Sequence, residues 1–166
     1  LLERLKGKFR VKLDDSENSA GWKFAEYEMK GVPLRLEIGP RDIAQNQCVL
    51  VRRDNREKYF VSLDELETKI PELLKAVRDG LYESALENRE RRTYTAHSLD
   101  EFIELANTKS GFIKSMWCGD RACEEKLKEV AGVSSRCIPF EQEHIGDTCP
   151  VCGKHADKMV YWGKAY

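Results

Sequence analysis

The sequence predicts an α/β protein in two parts: a mixed sheet with flanking helices, then a smaller α+β unit. Three observations carry this reading. Val32, Leu34, Leu36 and Ile38 alternate with Pro33, Arg35 and Glu37, which is the period of a strand with one apolar face. Trp22, Ala25 and Met29 recur at helical spacing just before it, and Leu74, Val77, Leu81 and Ala85 do so further on. Two close cysteine pairs, Cys118 with Cys123 and Cys149 with Cys152, stand in the last third of the chain.

The elements follow in order. Leu1 to Gly7 reads as the last turns of a helix closed by glycine. Phe9, Val11 and Leu13 alternate with Arg10 and Lys12, predicting a strand, and Asp14 to Ser19 is a polar turn. The helix through Trp22 ends at Gly31, and the strand at Val32 to Ile38 follows. Cys48 to Val51 is apolar at every position, so that strand is expected to be covered on both faces. Tyr59 to Val61 follows a charged turn as its hairpin partner.

Ser62 and Glu65 form a capping box, and Pro71 is expected to start a fresh helix running to about Arg92. Ser98 and Glu101 form a second capping box, before Phe102, Ile103 and Ala106. Gly111 to Trp117 reads as a strand leading into the first cysteine pair. Asp120 caps a helix with Cys123, Leu127, Val130 and Ala131 on one face and Gly132 at its end. Short strands are expected at Arg136 to Pro139 and Met159 to Trp162. The character of the chain changes near Thr93 to Ser98, which predicts two domains, 1–95 and 96–166.

The 166 residues include 28 basic and 29 acidic side chains, for a formal net charge of −1. That balance argues against a protein that coats nucleic acid indiscriminately, but it is compatible with a local basic face reading one RNA. No hydrophobic leader and no apolar run of membrane-spanning length is visible, so the expected location is the cytoplasm, with no membrane partner.

In a reducing compartment, CGDRAC and CPVC spaced in this way favour a structural zinc site of four thiolates: Cys118, Cys123, Cys149 and Cys152. Two disulfides, or four unrelated buried thiols, are the alternatives. His144 and His155 lie close by and are read as surface residues. Cys48 and Cys137 sit in apolar stretches and are read as small core residues.

The segment GWKFAEYEMKGVPLRLEIGPRD, residues 21 to 42, and the QCVLVRRD that follows resemble the anticodon-binding domain of class II aminoacyl-tRNA synthetases. With the cysteine pairs and the terminal Lys164-Ala165-Tyr166, the chain resembles the prolyl-tRNA synthetases of the archaeal and eukaryote-like kind over essentially its whole length. The resemblance implies an anticodon domain lacking its first strand, followed by a zinc-binding domain. That strand's slot, between the strands at Phe9–Leu13 and Val32–Ile38, would lie empty with Leu1 to Leu13 poorly placed, or be filled by a neighbouring molecule. The class II catalytic motifs, including the ATP-binding arginines, are missing. ATP and magnesium would therefore belong to the parent's catalytic domain, and the parent would be a homodimer.

By the same resemblance, Phe24, Glu28, Arg35, Arg41 and Asp42 fall at anticodon-reading positions, and the RNA partner is proline tRNA. Tyr166 would extend toward the active site of the parent's own catalytic domain. The chemistry is apt, because proline anticodons end in two guanines. A splayed guanine offers donors to carboxylates and acceptors to arginine, and its face stacks on aromatic rings. Taken singly, each residue also has an ordinary structural reading, such as core for Phe24 or solvated charge for Glu28. Arg52, Arg53, Arg56 and Lys58 form a second basic cluster, read as a solvated hairpin tip, with contact to RNA phosphates as the alternative. Two other functions are compatible with these residues: a stand-alone zinc module mediating protein contacts, and a hydrolase using Cys48 or Cys137. The second is weak, because no histidine is placed by sequence near either thiol.

Overall fold

A computed structural model describes residues 1–164. The chain divides into two compact units, Leu1–Ser84 and a second from Ala85 onward. The expectation for Tyr166 lies outside the described residues. No helix among those described is long and apolar enough to cross a membrane.

The first unit holds α1 (Leu2–Leu5), α2 (Ala20–Met29), β1 (Leu34–Glu37), α3 (Pro40–Ala44), β2 (Gln47–Arg52) and β3 (Lys58–Ser62). A single 3₁₀ turn (Leu63–Glu65) then leads into α4 (Leu66–Arg91), which runs on past the division between units. The sheet is antiparallel in the order β1-β2-β3. Side chains alternate cleanly across it. Leu34, Leu36, Cys48, Leu50, Tyr59 and Val61 pack on one face with Leu5, Leu66, Ile70 and Leu73. The other face carries the rows Arg35–Val51–Lys58 and Glu37–Val49–Phe60. Cys48, Leu50 and Val51 are buried and Val49 half-buried, as the unbroken apolar run predicts.

Three expectations for this unit are corrected. Phe9–Leu13 is not a strand: Phe9 makes one isolated bridge with Lys6 and packs on the core, while Val11 and Leu13 are exposed. Alternation yields a strand only where a neighbouring strand completes the ladder, and among the described residues none pairs with this segment. The following turn is pinned instead by Asp14, whose carboxylate accepts from Ser16, and by Lys23, which donates to the Asp14 and Ser16 carbonyls. Pro71 does not start a helix but lies inside α4, which begins after Ser62 caps the 3₁₀ turn. This close to the helix start, proline forgoes a single intrahelical bond. Trp22 and Met29 are exposed; α2 instead turns Lys23, Phe24, Tyr27 and Glu28 inward.

The second unit holds β4 (Thr93–Thr95), α5 (Leu99–Thr108), β5 (Phe112–Trp117), α6 (Arg121–Ala131), β6 (Val133–Cys137) and β7 (Lys158–Lys164). Its sheet is mixed, in the order β4-β5-β7-β6, with β4 parallel to β5 and the other pairs antiparallel. Phe102, Ile113, Leu127, Val133, Val160 and Trp162 form its core. Phe102 meets Trp162 edge-on, with ring centroids 6.1 Å apart. The Trp162 indole donates to the buried Ser115 hydroxyl at 2.9 Å. Gly111 joins α5 to β5 at φ 132°, and a Cβ there would lie 2.0 Å from the Arg92 carbonyl oxygen, so no other residue fits.

Cys137 was expected in the core and is exposed. It ends β6, the edge strand, beyond a register shift between Ser135 and Cys137 that sets it opposite Tyr161 instead of the buried Val160. The strand itself begins at Val133, three residues earlier than the alternation at Arg136 indicates, because the Gly132 cap of α6 feeds straight into it.

Candidate RNA interface and metal centre

On the outer face of the first sheet, β1 and α2 bring Phe24, Glu28, Arg35 and Glu37 together. The Arg35 guanidinium carbon sits 3.7 Å from the Phe24 ring centroid. Its Nε donates to Glu37 Oε1 at 2.8 Å and its Nη1 to Glu28 Oε1 at 3.0 Å. The ring lies against the guanidinium and the two carboxylates fix its rotation. Two of its five N–H groups are thereby used, and Nη2 keeps both of its own. The carboxylates retain free lone pairs. Donor edge and acceptor oxygens therefore meet in one place, an inventory that the edges of an unstacked guanine match.

Asp42 and Arg41 stand in the first turn of α3. Asp42 Oδ2 accepts from the Gly39 N–H at 2.9 Å, which leaves Oδ1 without that duty. Burial pushes the Cys48 thiol pKa up, and the nearby Asp42 charge adds to that. Arg41 is exposed, and no hydrogen bond or ion pair joins it to another described residue. The structure thus brings Phe24, Glu28 and Arg35 into contact, and places Asp42 and Arg41 just beyond the end of β1 without direct contact to them.

Glu37 was legible only as part of a polar strand face, yet it braces Arg35. Phe60 is 70 % exposed on the same sheet face, in the Glu37–Val49–Phe60 row. Its exposure depends on which face β3 leaves uncovered, which local sequence does not encode. Within the second basic cluster, Arg52 is tied to Asp54 by two hydrogen bonds and to the Ala76 carbonyl by a third, so it is structural. Arg56 and Lys58 are exposed at the hairpin.

In the second unit the four cysteine sulfurs lie within 4.8 Å of one another. Cys118 Sγ is 3.7 Å from Cys123 Sγ and 3.6 Å from Cys152 Sγ. The corners of a tetrahedron with metal–sulfur bonds of about 2.3 Å are about 3.8 Å apart, whereas a disulfide needs about 2.05 Å. The donor set fits a four-thiolate metal ion. The knuckle at the second pair closes through Gly153 N–H to the Cys149 carbonyl (2.9 Å) and Cys149 N–H to the Lys154 carbonyl (2.8 Å). Gly153 takes φ 70°, which glycine adopts without strain.

Asp120 caps α6 by accepting from the Ala122 N–H at 3.0 Å, and Lys154 reaches its other oxygen at 3.9 Å, linking the two knuckles. Burial pushes the Cys118 and Cys123 thiols up. The Lys154 backbone N–H holds the Cys152 thiol down at about 7. His144 pairs with Asp147 and His155 bridges to Thr148 in the knuckle turn; neither joins the cluster of donors.

A family model described as an anticodon binding domain matches residues 1–73, and one described as prolyl-tRNA synthetase, C-terminal, matches residues 99–166. The chain thus joins a synthetase anticodon-binding domain to a cysteine-bearing C-terminal domain. It is 67% identical over its full length to a proline–tRNA ligase of Clostridium novyi (strain NT) and 59% identical to one of Lachnoclostridium phytofermentans, covering 35% of each relative. It matches a crystal structure of prolyl-tRNA synthetase from Cryptosporidium parvum complexed with L-proline and AMP, with a TM-score of 0.88 and 35% identity, over 99% of this chain and 35% of that one. The chain belongs with the C-terminal region of the prolyl-tRNA synthetases, and spans about a third of the length of the curated relatives it matches.

Proposed function

We propose that this chain is the tRNA-recognition part of a proline–tRNA ligase. Phe24, Glu28, Arg35, Arg41 and Asp42 read the guanines of the proline anticodon, with residues 1–95 as the reading domain. The observation that carries this is the Arg35 guanidinium, seated on Phe24 and braced by Glu28 and Glu37 with its Nη2 edge left over. Exposed Phe60 on the same face supports it by offering a second ring for a neighbouring base.

Residues 96–166 form a structural zinc domain. Zinc supplies tetrahedral cross-linking there, with four thiolates and no open position for water. Cys118 and Cys123 approach from the start of α6, and Cys149 and Cys152 from the knuckle, so the metal would join the two segments. The aminoacylation chemistry, with ATP and magnesium, belongs to the parent enzyme's catalytic domain. The parent is read as a cytoplasmic homodimer. Filter binding of the chain to proline tRNA and to an unrelated tRNA tests the reading. Tighter binding to proline tRNA supports it, and equal binding to both returns the face to a non-specific charged surface.

A further inference from the structure

One feature of the second unit serves neither anticodon reading nor metal binding. A cleft of about 910 Å³ lies among the end of α4, β4, the α5–β5 turn and the ends of β6 and β7. Five cations line it, Arg89, Arg92, Lys109, Arg136 and Lys164, and no aspartate or glutamate does. Two of them bond neutral groups: Arg136 Nη2 donates to the Gly163 carbonyl at 2.9 Å, and Lys164 Nζ to Asn107 Oδ1 at 3.3 Å. Among the described residues none of the five forms an ion pair with a carboxylate.

This contrasts with the rest of the surface, where lysines and arginines pair repeatedly with nearby acids, as in Lys69–Glu72, Arg121–Glu125 and Lys126–Glu129. The whole chain is close to neutral, so the excess is local. Converging cations repel one another, and folding alone gives no reason to gather them. The remaining lining fits one class of polyanion. Asn88 and Ser110 supply neutral donors of the kind that bond phosphate oxygens, and Tyr94 and Phe112 supply ring faces.

We propose that this cleft binds the phosphate backbone of RNA and gives tRNA a second, sequence-independent hold on the chain. The proposal rests on reading the chain as a tRNA binder. Arg89 and Lys109 are the residues to test, because both are exposed and neither side chain bonds a described residue.

The experiment uses the full chain and its Arg89→Ala/Lys109→Ala double variant, with metal content and circular dichroism confirming the fold. Affinities for a proline tRNA transcript and an unrelated tRNA are measured from 50 to 200 mM salt. The double variant should bind both tRNAs more weakly by a similar factor, with the log–log salt slope shallower by roughly 0.7–0.9 per lost contact. Discrimination between anticodon guanines should not change. The charge-keeping variant Arg89→Lys/Lys109→Arg should restore the slope. An unchanged slope, or loss confined to proline tRNA, would overturn the proposal. So would unaltered RNA binding together with lost binding to polyglutamate, which would make the cleft a contact for an acidic protein. Arg35→Ala runs in parallel. If it abolishes guanine discrimination while the cleft variant behaves as wild type, the cleft assignment alone fails; if the unmodified chain binds no tRNA, both readings fail.

Discussion

Arg35 sits over Phe24, 3.7 Å from guanidinium carbon to ring centroid, and this contact is the pivot of the first unit's outer face. Without the ring, the guanidinium keeps its two carboxylate partners but loses the plane that sets the direction of Nη2. Phe24→Ala should therefore weaken proline tRNA binding by about 0.5–2 kcal/mol. The fold should survive, because α2 has no buried residue. Isothermal calorimetry and a thermal melt together check this. A lowered melting temperature with unchanged RNA affinity would make Phe24 a packing residue.

The cysteine cluster should bind one zinc per chain, with four sulfurs at about 2.3 Å. Elemental analysis and X-ray absorption give the count and the distance. Cys149→Ser should raise hydrogen exchange in β5, α6 and the knuckle far more than in β1–β3. Metal-free protein purified without chelator, or equal loosening of both units, would contradict this.

Arg52 and Asp54 hold the β2–β3 turn against α4 through the Ala76 carbonyl. The Arg52 guanidinium holds the Asp54 pKa below its usual 3.8. A lowered folded pKa stabilises the protein above the unfolded value, and this is lost as pH falls through the folded one. Asp54→Asn should cost about 1–3 kcal/mol at pH 7. It should also abolish the part of the acid destabilisation that wild type shows below about pH 4. Urea melts at pH 7 and pH 3 measure both, and parallel loss in the two proteins would dismiss the pair.

Ser115 is buried and its hydroxyl accepts from the Trp162 indole. Ser115→Ala leaves that N–H without a partner in the core and should cost about 1–3 kcal/mol. A chemical denaturation midpoint equal to that of wild type would show that the indole finds another acceptor.

The four-cysteine cluster was readable because both halves are local: each cysteine pair lies close in sequence, and spacing encodes such turns well. The Arg35 face was readable only in part. Phe24 and Glu28 share a helix face by spacing, but only the tertiary packing of α2 over β1 shows that Glu37 braces Arg35. Phe9–Leu13 misled because alternation describes a segment that fits a strand and says nothing of whether a partner strand stands beside it. Pro71 misled in the other direction: the capping serine nine residues earlier already starts the helical run, and packing of Leu66 and Ile70 outweighs one missing bond. Cys137 shows the same limit, since a register shift at an edge strand decides its exposure. The basic cleft joins residues from six elements, which no sequence window contains.

The most direct measurement is the ratio of dissociation constants for proline tRNA and for the same tRNA with one anticodon guanine replaced, taken on the chain and on Arg35→Ala. The chain should favour the guanine-bearing tRNA by about 1–3 kcal/mol, and Arg35→Ala should bring that ratio close to one. A ratio near one for the unmodified chain, or an undiminished ratio in Arg35→Ala, would contradict anticodon reading by this face.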